Sequence, residues 1–153
     1  MFWNRERETM PRAELQALQF DLLRQQMART YERVPFYRQL FRTHGIRPED
    51  IRSLDDLRLV PFTRKSDFRD NYPFGLLAVP RREVVRVHAS SGTTGKPTVV
   101  AYTRKDIETW KEVCARNLLS VDITSDDTVQ IAMGLGLFTG GLGWHQASEP
   151  EIR

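Results

Sequence analysis

In the stretch EVVRVHASSGTTGKPTVVAYT, residues 83–103, two apolar segments flank a polar loop that contains two glycines. The β-branched, alternating residues of EVVRVHAS predict a strand, and PTVVAYT predicts a second strand. The polar residues lie between these two segments. The stretch therefore predicts a hairpin-like unit with the loop at its tip.

The loop has the composition of a phosphate-binding site. Gly92 and Gly95 permit backbone conformations that other residues resist, so that successive N–H groups can point at one anion. The serine and threonine hydroxyls add hydrogen-bond donors, and the lysine adds a full positive charge. The residues that we predict to contact a nucleotide phosphate are Ser90, Ser91, Gly92, Thr93, Thr94, Gly95 and Lys96.

Two other interpretations of the loop follow from its composition. A flexible Ser/Gly connector between two strands would use the same residue types. A P-loop of the Walker A type does not fit, because it needs a glycine at the position of Ser90 and a helix directly after the lysine. Here Pro97 and a predicted strand follow Lys96.

The chain before the hairpin is predicted to be helical. We predict a helix over residues 9–30, with Thr9 as its cap and an apolar stripe. A shorter helix begins at Pro35, and shorter ones still are expected near residues 53–58 and 63–71, where prolines interrupt the chain. The stripe of the first helix is Leu15, Leu18 and Leu22.

The chain after the hairpin is predicted to continue with a helix and a third strand. Thr103 and Asp106 have the spacing of a capping box, and the segment TVQIAM, residues 128–133, predicts the strand. The helix carries an apolar stripe at spacings of three and four, and we interpret its cysteine as a packing residue. The stripe consists of Ile107, Trp110, Cys114, Leu118 and Val121.

The composition predicts a folded, cytoplasmic protein. Hydrophobic residues make up 40% and charged residues 28% of the 153 residues, as in ordinary globular domains. No apolar run reaches the length of about 20 residues that spans a bilayer, and the N-terminus lacks the apolar core of a secretory signal. The single Cys114 excludes an internal disulfide framework and a cysteine-based zinc site.

The distribution of charge argues against a nucleic-acid site, and the spacing of the histidines argues against a metal site. The first 82 residues hold 16 of the 23 Lys and Arg, but these are scattered singly among acids, so we expect a solvated surface and no nucleic-acid partner. The three histidines have no metal-binding spacing, and we assign no metal ligand and no catalytic residue. His88, on the first strand, is interpreted as a structural histidine in preference to a catalytic one.

The motif SSGTTGKPT resembles the phosphate loop of the adenylate-forming enzymes. Three flanking segments, YERVPFYRQLF, LDDLRLVPFTRKSDFRDNYPFGLLAVP and LFTGGLG, resemble the phenylacetate–CoA ligase family within that superfamily. The likeness runs from about Tyr31 to about Gly143. It implies an α/β fold, with a helical cap over residues 1–82 followed by the start of the large N-terminal subdomain over residues 83–153.

The resemblance also implies a reaction. Such an enzyme joins an aryl acetate to AMP from ATP, releases diphosphate, and passes the acyl group to CoA, with Mg²⁺ as the metal. The partner would be an aryl carboxylic acid, and no membrane is involved. Where the family often carries tyrosines, this chain has methionine and leucine, so the acid is either phenylacetate itself or a different acid. The residues implied to line the acid pocket are Met133, Leu135, Phe138, Gly140 and Gly141.

The family's chains are several times longer than 153 residues, and their later parts supply the adenine pocket, ribose carboxylate, magnesium ligand and catalytic lid. We therefore expect the ligase reaction from the complete enzyme and no activity from the 153 residues alone. The alternative is a non-catalytic remnant that binds a nucleotide or a partner weakly. The incomplete sheet also offers a route to self-association.

Overall fold

The computed structural model describes residues 2–90, 97–136 and 139–148. Within these ranges, none of the helices combines the length and the apolar composition that a membrane span requires. The α-helices are α1 (Arg5–Glu8), α2 (Arg12–Arg33), α3 (Pro35–Thr43), α4 (Lys65–Asp70), α5 (Arg104–Ser120) and α6 (Thr139–Ala147), and the strands are β1 (Val84–Ala89) and β2 (Val99–Thr103). Short 3₁₀ helices span Pro48–Asp50, Leu54–Leu59 and Arg81–Glu83.

The chain divides into two compact units. Met10–Arg81 forms a helical unit, and Met1–Thr9 together with Arg82–Arg153 forms the second, which we call the hairpin unit. The first nine residues thus pack with the later part of the chain. The assignment of residues 1–82 and 83–153 as functional domains stays a prediction.

The helical unit is built around a small core between α2 and α3. Met27, Phe41 and Ile51 are its buried centre, and the rings of Tyr31 and Phe41 stack at 6.0 Å. Val34 is completely buried at the junction of the two helices, where Pro35 starts α3 with a favourable first-turn geometry. The core therefore depends on the bend between these helices.

The predicted helices of this unit are confirmed with shifted boundaries. The long helix begins at Arg12, and Thr9 does not cap it. Thr9 follows α1, and its hydroxyl donates to the carbonyl of Arg5 in that helix at 2.7 Å. The predicted stripe is wrong at Leu22, which is 53% exposed. The face that packs on the core carries Leu23, one position on, because the core lies around Met27.

The predicted hairpin is confirmed. β1 and β2 pair antiparallel, with His88 opposite Val100 and Ala89 opposite Val99. The third predicted strand is wrong, because residues 128–133 are irregular and pair with neither β1 nor β2. A strand is held by backbone hydrogen bonds to a neighbour, and β-propensity alone does not provide one.

The predicted capping box at the start of α5 is confirmed. The backbone N–H of Thr103 donates to Oδ2 of Asp106 at 2.8 Å, and the backbone N–H of Asp106 donates to Oγ1 of Thr103 at 3.3 Å. Each side chain satisfies a backbone donor that has no partner inside the helix. β2 therefore passes directly into α5.

The predicted stripe of α5 is confirmed at Ile107 and Leu118, which are buried. It is wrong at Val121, which is 63% exposed because the helix has already ended there. Ala115 and Leu119 are buried in its place. The buried face is therefore displaced towards the side of the helix that these two residues share.

An aromatic cluster (His88, Tyr102 and Trp110) joins the hairpin to α5. His88 is 1% exposed, and its ring meets the edge of Tyr102 at 5.5 Å and of Trp110 at 5.6 Å. The rings of Tyr102 and Trp110 stack at 5.3 Å. The environment of His88 is that of a packing residue, which agrees with its structural interpretation.

Helix α6 approaches this cluster so closely that only glycine fits at one position. A β-carbon at Gly143 would lie 2.6 Å from three atoms of the Trp110 indole, far inside van der Waals contact. The neighbouring atoms belong to the rigid body of a ring, so that the helix itself would have to move. Gly143 therefore sets the distance between α6 and α5.

Two helices end in the same hydrogen-bonded turn but use different residues for it. After α3, Gly45 has φ of +66°, and the N–H of Ile46 donates to the carbonyl of Phe41 at 3.0 Å. After α5, Asp122 has φ of +60°, and the N–H of Ile123 donates to the carbonyl of Leu118 at 3.1 Å. This is the Schellman geometry, in which glycine is the preferred left-handed residue.

The two turns predict opposite responses to substitution. Gly45→Ala should lower the free energy of unfolding of the helical unit by about 1 kcal/mol, because a left-handed conformation is unfavourable for a side chain. Asp122→Gly should leave the hairpin unit equally stable or more stable. Urea titrations followed by far-ultraviolet circular dichroism measure the first change. Tryptophan fluorescence measures the second, since all three tryptophans belong to the hairpin unit.

A loss of more than about 1 kcal/mol in Asp122→Gly would contradict this account of the α5 terminus. Asp122→Ala is the matched control, because it keeps a side chain at the left-handed position while removing the carboxylate.

The close approach of α6 predicts a second effect. Gly143→Ala should destabilise the hairpin unit by about 1–3 kcal/mol through overpacking against Trp110. In a Trp110→Ala background the same substitution should become neutral or stabilising, because alanine favours a helix by about 1 kcal/mol over glycine. The measurement is a double-mutant cycle by urea denaturation. Gly136→Ala, where a β-carbon meets no atom within 4 Å, is the control.

Candidate functional site

The tip of the hairpin holds the two ends of the predicted phosphate loop together. The backbone N–H of Ser90 donates to the carbonyl of Thr98 at 3.0 Å, and the N–H of Thr98 donates to Oγ of Ser90 at 3.2 Å. Oγ1 of Thr98 is buried and has no hydrogen-bond partner among the described residues. The other six predicted residues, Ser91, Gly92, Thr93, Thr94, Gly95 and Lys96, lie outside the described residues.

The base of the loop rests on packed aromatic side chains. His88 lies two residues before Ser90 and belongs to the aromatic cluster. Burial raises the pKa of Tyr102 in this cluster, and the negative charge of Asp106 raises it further, so this phenol stays protonated at neutral pH. The packed cluster therefore supports Ser90 and Thr98, the two described residues that flank the loop.

Three of the predicted acid-pocket residues come together at the start of α6. A β-carbon at Gly141 would lie 3.3 Å from Cδ2 of Leu135, 3.4 Å from Cβ of Met133 and 3.1 Å from the carbonyl oxygen of Gly134. Met133 and Leu135 are otherwise exposed. These two side chains and the buried Gly141 therefore form one surface, which we call the Met133–Leu135 surface.

Of the remaining two residues predicted to line the acid pocket, the structure describes one. Gly140 is half-buried in the first turn of α6. Phe138 lies outside the described residues. A helix was not predicted for the glycine-rich segment, because glycine disfavours a helix. The signal for it is the small size of Gly143, which packs near the Trp110 indole.

Two residues near the loop were not among the predicted site residues. Thr98 ends the motif SSGTTGKPT but was not predicted to contact phosphate, and Tyr102 was predicted only as a strand residue. Pairing the hairpin arms residue by residue places Thr98 beside Ser90 and Tyr102 opposite Arg86. The signal for both is therefore the register of the hairpin and not the residue type.

Neither a metal centre nor a reactive thiol is found in the part of the chain that the structure describes. No three His, Cys, Asp or Glu side chains gather there in a way that would hold a metal ion. Cys114 is half-buried, and burial raises the pKa of its thiol, so little thiolate is present near neutral pH. This agrees with its interpretation as a packing residue.

Sequence comparison finds close relatives, although no family model matches the chain. The chain is 54% identical over 149 residues to a phenylacetate–coenzyme A ligase of Thermus thermophilus, covering 97% of this chain and 34% of the ligase. Ligases of the same name from Aromatoleum evansii and Escherichia coli are 57% and 52% identical, over 89% and 93% of this chain. The chain spans about a third of the length of these relatives.

Comparison of folds points the same way. The structure matches a crystal structure of 2-hydroxyisobutyryl-CoA ligase in complex with 2-HIB-AMP and CoA with a TM-score of 0.89 and 33% identity, over 97% of this chain and 32% of that one. An open conformation of that ligase matches with a TM-score of 0.87. The fold is that of the N-terminal part of an adenylate-forming CoA ligase. By sequence and by fold, the chain therefore belongs to the phenylacetate–coenzyme A ligase family and matches about one third of a ligase's length.

Proposed function

We propose that this chain supplies the ATP phosphate loop and part of the acid pocket of an AMP-forming aryl–CoA ligase. The observation that carries the proposal is the pairing of Ser90 with Thr98, which closes the ends of a glycine- and hydroxyl-rich loop at a hairpin tip. The 50–57% identity to phenylacetate–coenzyme A ligases supports the assignment of the reaction class.

The loop would orient the phosphates of ATP. Hydroxyl groups that can donate to phosphate oxygens are carried by Ser90, Thr93 and Thr94. The positive charge of Lys96 would stabilise the negative charge that develops on the departing diphosphate. The acid is joined to AMP with release of diphosphate, and the acyl group then passes to the sulfur of CoA with release of AMP. The role of this chain in both steps is to hold and orient.

The magnesium ion of this reaction class is not assigned to residues of this chain. The described residues bring together no group of three carboxylates, histidines or cysteines. Thr98, whose buried hydroxyl oxygen lacks a partner among them, is assigned to the loop or the nucleotide instead.

The Met133–Leu135 surface would contact the acid. Both side chains are apolar and flexible, and neither can donate a hydrogen bond to a substituent of the acid. Gly141 lies against both of them, which places the two side chains beside the start of α6. We therefore propose an acid whose distal end is apolar and lacks a group that requires a hydrogen bond.

The loop assignment predicts the outcome of a chimaera. When this chain replaces the matching third of the Escherichia coli ligase, acid-dependent exchange of diphosphate into ATP should be retained. Lys96→Ala should slow the exchange about 100-fold, because it removes one electrostatic contact to the negative charge that develops on the diphosphate. Gly95→Val should slow it more, because a branched side chain restricts the backbone turn.

Lys105→Ala, at an exposed position on α5, is the matched control and should leave the exchange unchanged. The 153 residues alone should show no exchange. Full activity in a chimaera whose residues 90–96 are replaced by an unrelated Gly/Ser linker would refute the loop assignment.

The acid pocket predicts a change in selectivity. In the same chimaera, Leu135→Tyr should lower KM for acids with a polar ring substituent and raise it for wholly apolar acids, while KM for ATP stays the same. Exchange rates across a series of substituted aryl acids measure this. Equal changes for all acids would contradict the placement of Leu135 in the pocket, and Val113→Tyr, at an exposed site on α5, is the control.

A further inference from the structure

A second basic site lies in the hairpin unit, at the other end of the hairpin from the loop. β1, the first half of α5 and the end of α6 enclose a cavity of about 230 Å³. Three of its seven lining residues are cationic and one is acidic. The lining residues are Val85, Arg86, Arg104, Ile107, Glu108, Lys111 and Gln146.

Arg86 is the central group of this cavity. Its Nη1 atom is buried, and no described residue accepts a hydrogen bond from it. No carboxylate of the described residues forms an ion pair with Arg86, since the ion pairs among them involve Arg116. A buried guanidinium nitrogen without an acceptor is costly, so an acceptor from outside the described protein atoms is expected there.

Gln146 faces the same cavity from α6. Its amide oxygen is buried without a hydrogen-bond partner among the described residues. The two ends of a side-chain amide have nearly the same shape, so rotation about χ3 places the amide N–H₂ group where the oxygen stands. In that orientation both Arg86 and Gln146 supply hydrogen-bond donors to the cavity.

The charge of the lining selects the kind of anion. Arg86 and Arg104 carry two positive charges and Glu108 one negative charge, so positive charge exceeds negative charge among these three residues. A phosphate group carries about −1.5 to −2 charges at neutral pH, whereas a carboxylate carries one. Two arginines also provide the planar forks that bind phosphate oxygens in pairs.

The cavity is separate from the proposed nucleotide loop. Arg86 precedes Ser90 by four residues along an extended strand, which corresponds to about 13 Å. Arg104 and Lys111 lie on α5, which leaves β2 at the end opposite the tip. A phosphate held at one site therefore does not occupy the other.

We propose that the cavity around Arg86 is an anion site that binds a dianionic phosphate group, either as free phosphate or at the end of a small phosphate monoester. The site is independent of the ATP loop and of the ligase reaction proposed above.

The test is isothermal titration calorimetry of the 153-residue chain carrying Lys96→Ala, so that the loop contributes as little as possible. Inorganic phosphate and glycerol 3-phosphate are titrated at pH 7.5 and constant ionic strength, with acetate as the monoanionic comparison. Both phosphates should bind at least tenfold more tightly than acetate. Tighter binding of one phosphate identifies whether the ligand is free phosphate or the monoester.

Variants assign the binding to the cavity. Arg86→Gln and Arg104→Gln should each weaken phosphate binding about tenfold or more. Lys105→Gln removes one positive charge from the same turn of α5 at an exposed position that does not line the cavity, and should leave binding unchanged. Binding should also weaken at pH 5.5, where phosphate loses its second charge.

Circular dichroism of each variant establishes that it is folded, and the exposed Arg104 keeps the test valid if Arg86→Gln unfolds. Equal phosphate affinity in Arg86→Gln, Arg104→Gln and Lys105→Gln would overturn the proposal. So would acetate binding as tightly as phosphate, or no phosphate binding by the parent chain up to about 10 mM, the weak limit for a site of this charge.

Discussion

The antiparallel pairing of β1 with β2 fixes the positions of the other parts of the hairpin unit. It brings Ser90 to Thr98 and thereby closes the loop. The same register sets His88 beside Tyr102, on the face where Trp110 packs. One set of backbone hydrogen bonds therefore fixes both the loop ends and the surface that receives α5.

Much of this arrangement could be predicted from local signals. Alternating β-branched residues predicted both strands, and the spacing of Thr103 and Asp106 predicted where α5 begins. The strands and the start of α5 depend on interactions between residues that are near in sequence. A short segment of the chain is therefore enough to predict them. The family resemblance, carried by motifs, was likewise confirmed by relatives and by fold.

Features that depend on distant partners could not be predicted. The segment TVQIAM has strand-like residues, but in the described part of the chain no strand pairs with it. Val121 continues the helical spacing of the apolar residues, although α5 ends at Ser120 and the chain turns at Asp122. For the candidate site, the residue types indicated a phosphate loop. The contact of Gly141 with Met133 and Leu135 could not be predicted, because it depends on a helix that glycines do not favour.

The packing of the first nine residues in the hairpin unit has a consequence for the order of folding. The side-chain amide of Asn4 donates to Glu112 at 3.4 Å, and Arg116 pairs with Glu8 at 3.8 Å. Asn4 and Glu112 are 108 residues apart, so closing this loop is entropically expensive until the intervening chain is compact. α1 should therefore attach after the transition state of folding. Its contacts then slow unfolding far more than they speed folding.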